Sequence, residues 1–207
     1  ATPLPDGTTR TLHGDYLPHR DARGRVHGLY AIVRDITDHR DAKIDYLTGL
    51  LNRREFEAQG GRLLSVAQRY QHDLVLVMGD IDHFKAVNDD LGHLVGDTVL
   101  QGVANTLRAD LRAADLAGRW GGEEFVLVLP ETAAEEAFKL VERLRGTIGT
   151  QEFVPGRPIT MSFGLAAAGP GDSLHSLQAR ADEALYRAKH GGRNRVEGDG
   201  ADLEELD

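Results

Sequence analysis

Apolar residues recur along this chain with three different spacings, and each spacing predicts an element. From Thr9 to Pro18 and again from Val26 to Ile36 they alternate with polar ones, with Asp21-Ala22-Arg23-Gly24 as a turn between. That is the pattern of a β-hairpin. A lone hairpin is marginal in water, so this piece has either lost its partners or leans on the domain after it. Asp38 to Lys43 is short and charged and reads as a helical connector. Phe56, Leu63, Leu64, Val66 and Ala67 then fall at helical spacing up to about His72, with Gly60-Gly61 as a local weakness.

Leu74-Val75-Leu76-Val77-Met78 is a continuous apolar run, suited to a strand buried on both faces, and it stops at Gly79-Asp80-Ile81-Asp82. Asn88 to Gly96 is polar and turn-rich; Asp97 then serves as the cap of a helix striped by Val99, Leu100, Val103, Leu107 and Leu111. Leu116 to Trp120 leads through Gly121-Gly122 into Val126-Leu127-Val128-Leu129, a hairpin whose tight turn needs glycine for φ > 0. Thr132 with Glu135 makes a capping box for a helix that turns Phe138, Leu140, Val141, Leu144 and Ile148 inward. Ile159 to Ala167 is a last core strand, and Ser173 caps a final helix that ends at Gly191-Gly192. The acidic stretch from Glu197 to Asp207 reads as a disordered tail.

From Leu74 the order is strand, helix, strand, hairpin, strand, helix, strand, the split βαβ arrangement of ferredoxin-like and palm domains. The fold class is therefore α+β, a central sheet containing antiparallel pairs and flanked by helices, preceded by a β-hairpin remnant. Right-handed crossovers place the hairpin's second strand antiparallel beside the first. Asp80 and Glu123 then converge at one edge of the sheet, beside the diglycine turn.

Composition narrows what such an edge does. The 207 residues hold one good-sized domain plus an appendage. With no cysteine, disulfide scaffolds, thiolate-bound zinc and thiol catalysis are excluded, which fits a cytoplasmic protein. No apolar run is long enough to span a membrane. The formal charge of −9 argues against nonspecific binding to nucleic acid or to an anionic membrane, but not against a nucleotide met by a metal and local cations. The chain starts at Ala1 with neither initiator Met nor signal peptide and reads as a fragment of something longer.

Converging carboxylates at a strand end are either a polar rim or a Mg2+ site, since Mg2+ combines a few carboxylates with waters and phosphates. Lys85, Lys189 and Arg193 are either solvated surface charges or, beside two acids and an open turn, a triphosphate clamp. His93 and His190 have no metal-like spacing and read as structural or surface groups.

Four blocks resemble one family. Gly121-Gly122-Glu123-Glu124-Phe125 resembles the signature of GGDEF-domain diguanylate cyclases, with Glu123 at a position where Asp or Glu both occur. Asp45-x-Leu47-Thr48-Gly49-Leu50-x-Asn52-Arg53-Arg54 resembles the family's entry motif. The stretch from Asp80 through Lys85, Asn88, Asp89, Gly92 and His93 to Asp97 resembles its second block, and Ala184 to Asn194 its closing one. A departure is Gly79, where the family has a bulkier apolar residue; it stands to loosen packing beneath Asp80. Upstream, His27 to Thr37 resembles the last strand of a PAS sensor domain and its exit signal. The organisation expected is a PAS remnant over 1–37, a linker over 38–44, a GGDEF domain over 45–196 and a tail over 197–207.

The resemblance implies that two GTP condense to cyclic di-GMP with release of two pyrophosphates. It implies Asp80, the Ile81 carbonyl and Glu123 as ligands of Mg2+ or Mn2+, with Glu124 near a second ion, and Glu123, Glu124 and Lys85 as the catalytic set. Lys85, Lys189 and Arg193 would hold the β- and γ-phosphates; Phe84, His93, Gly121 and Gly122 would line the substrate. Asn88 and Asp97 would read guanine, whose N1–H and N2–H2 suit a carboxylate, whereas adenine offers an acceptor at N1. Joining two identical nucleotides implies a homodimer. Arg112 and Asp115 match the family's inhibitory product site, about 20 Å from the catalytic edge at roughly 3.3 Å per residue; otherwise they are an Arg–Asp surface pair. A catalytically silent nucleotide sensor and a pure interaction module are the competing readings.

Overall fold

The computed structural model describes residues 2–3, 9–10, 12–21, 25–35 and 43–200. Two compact units divide the chain, Ala1–Lys43 and Ile44–Asp207. In the first, β1 (Thr2–Pro3) pairs with β2 (Thr9–Arg10), and β3 (Leu12–Arg20) pairs antiparallel with β4 (Val26–Asp35), the hairpin that alternation predicts. Val26, Leu29 and Tyr30 of β4 are exposed. The expected connector over 38–43 lies outside the described residues except for Lys43, as does the end of the tail, 201–207.

The second unit is built on a six-stranded sheet in the order β10-β9-β6-β8-β7-β5. Its strands are β5 (Leu51–Asn52), β6 (Leu74–Ile81), β7 (Leu116–Gly121), β8 (Glu124–Pro130), β9 (Met161–Ala167) and β10 (Val196–Gly198). β6 runs antiparallel to β8 on one side and to β9 on the other, as right-handed crossovers require. β10 and β5 pair in parallel with β9 and β7 and close the sheet with very short strands. Val196–Gly198 thus belongs to the sheet, and the tail begins later than composition suggests.

Alternation along β6 sorts the two cores. Val75, Val77 and Ile81 pack with α2 (Phe84–Leu91), α3 (His93–Asp110) and α4 (Ala134–Thr150). Leu74, Leu76 and Met78 pack on the other face with α1 (Arg53–Tyr70) and α5 (Leu174–His190). Each fully buried leucine or phenylalanine in these layers contributes about 1.5–3 kcal/mol. α1 runs through Gly60-Gly61 without a break, because Gly60 is buried with room for Leu174 of α5 beside it. β6 also runs past Gly79. A Cβ there would lie 2.7 Å from the Phe163 ring, so Phe163 and Met161 of β9 fill the space and the packing beneath Asp80 is not loose.

Three local expectations are overturned. The polar stretch from Asn88 is helical to Leu91, and α3 begins at His93 after Gly92 (φ 84°), so Asp97 lies inside the helix and caps nothing. Thr132 turns its hydroxyl back to the Pro130 carbonyl (2.9 Å), and α4 starts from Ala133 with no side-chain cap. Ser173 does cap α5, reciprocally with Ser176. Among the described residues no helix is long and apolar enough to cross a membrane.

Candidate active site

Asp80 continues the alternation of Leu74, Leu76 and Met78 and so faces α1 and α5 at the end of β6. Its register partner is Glu124, the first residue of β8, and the Glu123 carbonyl accepts from the Ile81 N–H at 3.3 Å. Adjacent strands therefore gather Asp80, Glu123 and Glu124 at one edge. The fourth group comes from α5, whose close approach depends on a single glycine. A Cβ on Gly164 would stand 2.1 Å from the Leu185 nitrogen and 2.2 Å from the Ala181 carbonyl oxygen. One helical turn past Leu185, the Lys189 Nζ reaches Asp80 Oδ2 at 2.8 Å.

Burial pushes the carboxyls of Asp80, Glu123 and Glu124 above the ordinary carboxylate range. The charge of Asp80 adds to the push on both glutamates, and Lys189 works against it at all three. Arg193 also acts on Asp80, in the favourable direction. Asp182, raised by its own burial, adds its repulsion at Glu124. The edge is short of positive charge. Among the described residues no three His, Asp or Glu side chains enclose a metal by themselves. Carboxylates beside a backbone carbonyl are nevertheless the donor set a Mg2+ ion takes, together with waters and phosphates.

The turn itself is held from below. Gly122 is its left-handed residue (φ 31°), while Gly121 pairs in register with Glu124. Arg119 donates to the Gly122 carbonyl from Nε (3.0 Å) and Nη2 (2.7 Å), and its Nη1 lies 3.3 Å from Asp45 Oδ1. Asp45 also accepts from the Thr48 N–H and hydroxyl, and Arg108 of α3 donates to the Thr48 carbonyl at 2.9 Å. The entry motif is thus a brace for the diglycine turn. Arg119 stands at the head of the diglycine stretch, but its place in the sequence gives it no role; the bracing role comes from these contacts.

The remaining candidates lie on α2, on α3 and in the loop after α5. α2 opens at the buried Phe84 after the left-handed His83 (φ 56°), which puts its first-turn N–H groups and the exposed Lys85 at the end of β6. A Cβ on Gly96 would lie 2.0 Å from Asn88 Oδ1, so the missing side chain lets Asn88 press on α3 beside Asp97. His93 is exposed at the start of α3. Arg193 is exposed on the loop after α5, in a left-handed conformation (φ 63°).

Arg112 and Asp115 sit at the far end of β7. Asp115 Oδ2 accepts from the Arg112 backbone N–H at 2.7 Å, which leaves the guanidinium free of that carboxylate. Both residues line a cavity of about 270 Å³ together with Asp110, Thr132, Lys139 and Arg143. The two cations of α4 were missed in the sequence because they belong to a helix that comes after the hairpin.

Fold and edge define a palm-type α+β domain whose acidic rim suits a divalent cation. Residues 42–195 match the family described as diguanylate cyclase, GGDEF domain, and the chain belongs to the GGDEF family. It is 46% identical over 159 residues to the diguanylate cyclase DgcP of Pseudomonas aeruginosa, covering 75% of this chain and 24% of DgcP. It is 39% identical over 204 residues to the diguanylate cyclase DgcM of Escherichia coli, covering 93% of this chain and 48% of DgcM. The chain thus spans less than half the length of either relative. Among solved structures, the GGDEF domain of DgcB from Caulobacter crescentus in complex with c-di-GMP superposes with a TM-score of 0.74 at 37% identity, covering 78% of this chain and 95% of that one.

Proposed function

We propose that this chain is the catalytic part of a diguanylate cyclase, joining two GTP into cyclic di-GMP as a homodimer. The observation that carries the reading is the edge where Asp80 pairs with Glu124, Glu123 lies alongside, and Lys189 contacts Asp80. The naming of DgcP and DgcM as diguanylate cyclases and the c-di-GMP bound to the DgcB domain support it.

In each half-reaction the ribose 3′-oxygen of one GTP bonds to the α-phosphorus of the other, the bond to the β-phosphate oxygen breaks, and pyrophosphate leaves with the proton released to solvent. Asp80, the Ile81 carbonyl and Glu123 would hold Mg2+ or Mn2+, and Glu124 would serve a second ion. When bound, the ion would lower the pKa of the attacking hydroxyl and neutralise charge on the leaving group. Lys85, Lys189, Arg193 and the first-turn N–H groups of α2 grip the β- and γ-phosphates. Gly121 and Gly122 leave space for the nucleotide, Phe84 and His93 flank it, and Asn88 and Asp97 select guanine. One nucleotide per chain and a symmetric product require two copies facing each other. Arg112 and Asp115 take product as a feedback inhibitor, and residues 1–37 are the end of a PAS sensor acting on how two copies meet, in the cytoplasm where GTP is supplied.

Purified protein incubated with GTP and Mg2+ is expected to release two pyrophosphates per cyclic di-GMP, with a rate that rises as the square of protein concentration through the dissociation range. No pyrophosphate with either Mg2+ or Mn2+ overturns the reading; a strictly first-order rate overturns the dimer.

A further inference from the structure

We propose that Asp82 is a positioning residue that fixes the loop between α5 and β10 so that Arg193 faces the triphosphate. The inference rests on reading the acidic edge as a GTP site. An acid two residues beyond Asp80, on the same face of the chain, invites assignment as another metal ligand. Its surroundings indicate a different task. The carboxylate is buried, Oδ1 accepts from the Ser162 hydroxyl at 2.7 Å, and Oδ2 accepts from the Thr160 hydroxyl at 2.7 Å and from the Asn194 N–H at 3.0 Å. Three of its lone-pair directions are taken by protein donors.

Those donors tie together three parts of the chain. Thr160 comes just before β9 and Ser162 lies at its start, while Asn194 comes after Arg193 in the loop after α5. Arg193 (φ 63°) and Asn194 (φ 47°) are both left-handed, a backbone conformation that side-chain-bearing residues hold only when their surroundings enforce it. The enforcement is visible on each side of Arg193. Its own N–H donates to the Ala188 carbonyl at 3.0 Å, and the Phe163 N–H donates to the Arg195 carbonyl at 2.9 Å. Arg145 donates to Asn194 Oδ1 at 2.9 Å, and Ser162 shares the Asn194 N–H at 3.1 Å. Of these ties, the one to Asp82 leads back to the segment that carries Asp80. The acid at the rim and the backbone position of a phosphate-facing cation are therefore set by two residues, Asp80 and Asp82, two positions apart on the same stretch of chain.

The test measures equilibrium binding, not turnover. With Mg2+, the wild-type chain binds the non-cyclisable guanosine 5′-[α,β-methylene]triphosphate and, more weakly, GMP. Asp82→Ala is expected to weaken the triphosphate about tenfold, the size of a charge-assisted phosphate contact, and Ser162→Ala about threefold. GMP, which has no β- or γ-phosphate for Arg193 to reach, is expected to stay within about twofold. Asp82→Asn keeps an oxygen for the Asn194 N–H and is expected to restore most of the loss. Adding Asp82→Ala to Arg193→Ala is expected to cost nothing further. The inference is overturned if Asp82→Asn is as weak as Asp82→Ala while Ser162→Ala matches wild type, the signature of a charge-bearing metal ligand. Parallel loss of GMP, or full additivity with Arg193→Ala, overturns it as well. Should Asp82→Ala not fold, Asp82→Asn and Ser162→Ala decide by the same criteria. A wild-type chain that binds no triphosphate overturns the GTP reading and this inference with it.

Discussion

The two ends of β7 present opposite electrostatic problems. At the diglycine end, three carboxylates with raised pKa values crowd a single ammonium, and the packing holds them there at a cost. At the Arg112 end, Asp115 is satisfied by a backbone N–H, Arg143 pairs with Asp110 at 3.2 Å, Lys139 pairs with Glu135 at 2.5 Å, and three cations and three acids line a cavity. One end holds carboxylates that its cations do not balance; at the other, acids and cations are matched, and the Arg112 guanidinium is not held by Asp115. A single strand thus separates an edge with uncompensated acids, proposed above to take metal and nucleotide, from a charge-matched cavity proposed to take product.

The hardest test of this contrast is Glu123→Gln. Turnover is expected to fall by at least about a hundredfold, as when a transition-state electrostatic contact is removed. Stability is expected to move the other way. A carboxyl whose folded pKa is raised favours the fold below its unfolded pKa and loses that contribution as pH rises through the folded one. At neutral pH the metal-free parent therefore carries a penalty that Gln removes. Melting in chelator should show the variant at or above the parent, and added Mg2+ should stabilise the parent more. A variant that melts lower in chelator, with turnover intact, would break the comparison.

Gly164→Ala attacks the same end through packing. Its Cβ meets backbone atoms of α5, which cannot swing aside, so denaturant unfolding should show a loss of about 2–3 kcal/mol. The opposite end is probed by Arg112→Ala, and separately by Arg143→Ala. Each should raise the cyclic di-GMP concentration for half-inhibition about tenfold while initial turnover stays within about twofold. Unchanged inhibition in both would remove the product site from this cavity. The smallest effect is expected of Gly96→Ala, which displaces the Asn88 side chain. KM for GTP should rise about fivefold with kcat nearly unchanged, and preference over ATP should narrow.

The sheet and the convergence of its acids were legible because they depend on apolar period and on crossover handedness. Leu74 to Met78 announces a strand buried on both faces, and Gly121-Gly122 marks the turn. What failed to show was decided by distant neighbours. β6 continues through Gly79 because Phe163 occupies the missing side chain's volume, a fact about β9. Gly92 and Gly96 look like turn signals, yet Gly92 divides two helices and Gly96 admits Asn88. Thr132 has the spacing of a capping box, but its hydroxyl found the Pro130 carbonyl first. The brace from Asp45 through Arg119 to Gly122 joins motifs that sequence shows only as separate words.

The lengths of the outermost strands bear on how copies of this domain meet. β5 has two residues and β10 three, so neither border of the sheet offers a long row of unpaired amides for a neighbour to extend. Stacking of copies into a continuous β-structure is thereby discouraged. For the pair of copies proposed above, blunt borders leave the joining to surfaces other than the edges of the sheet.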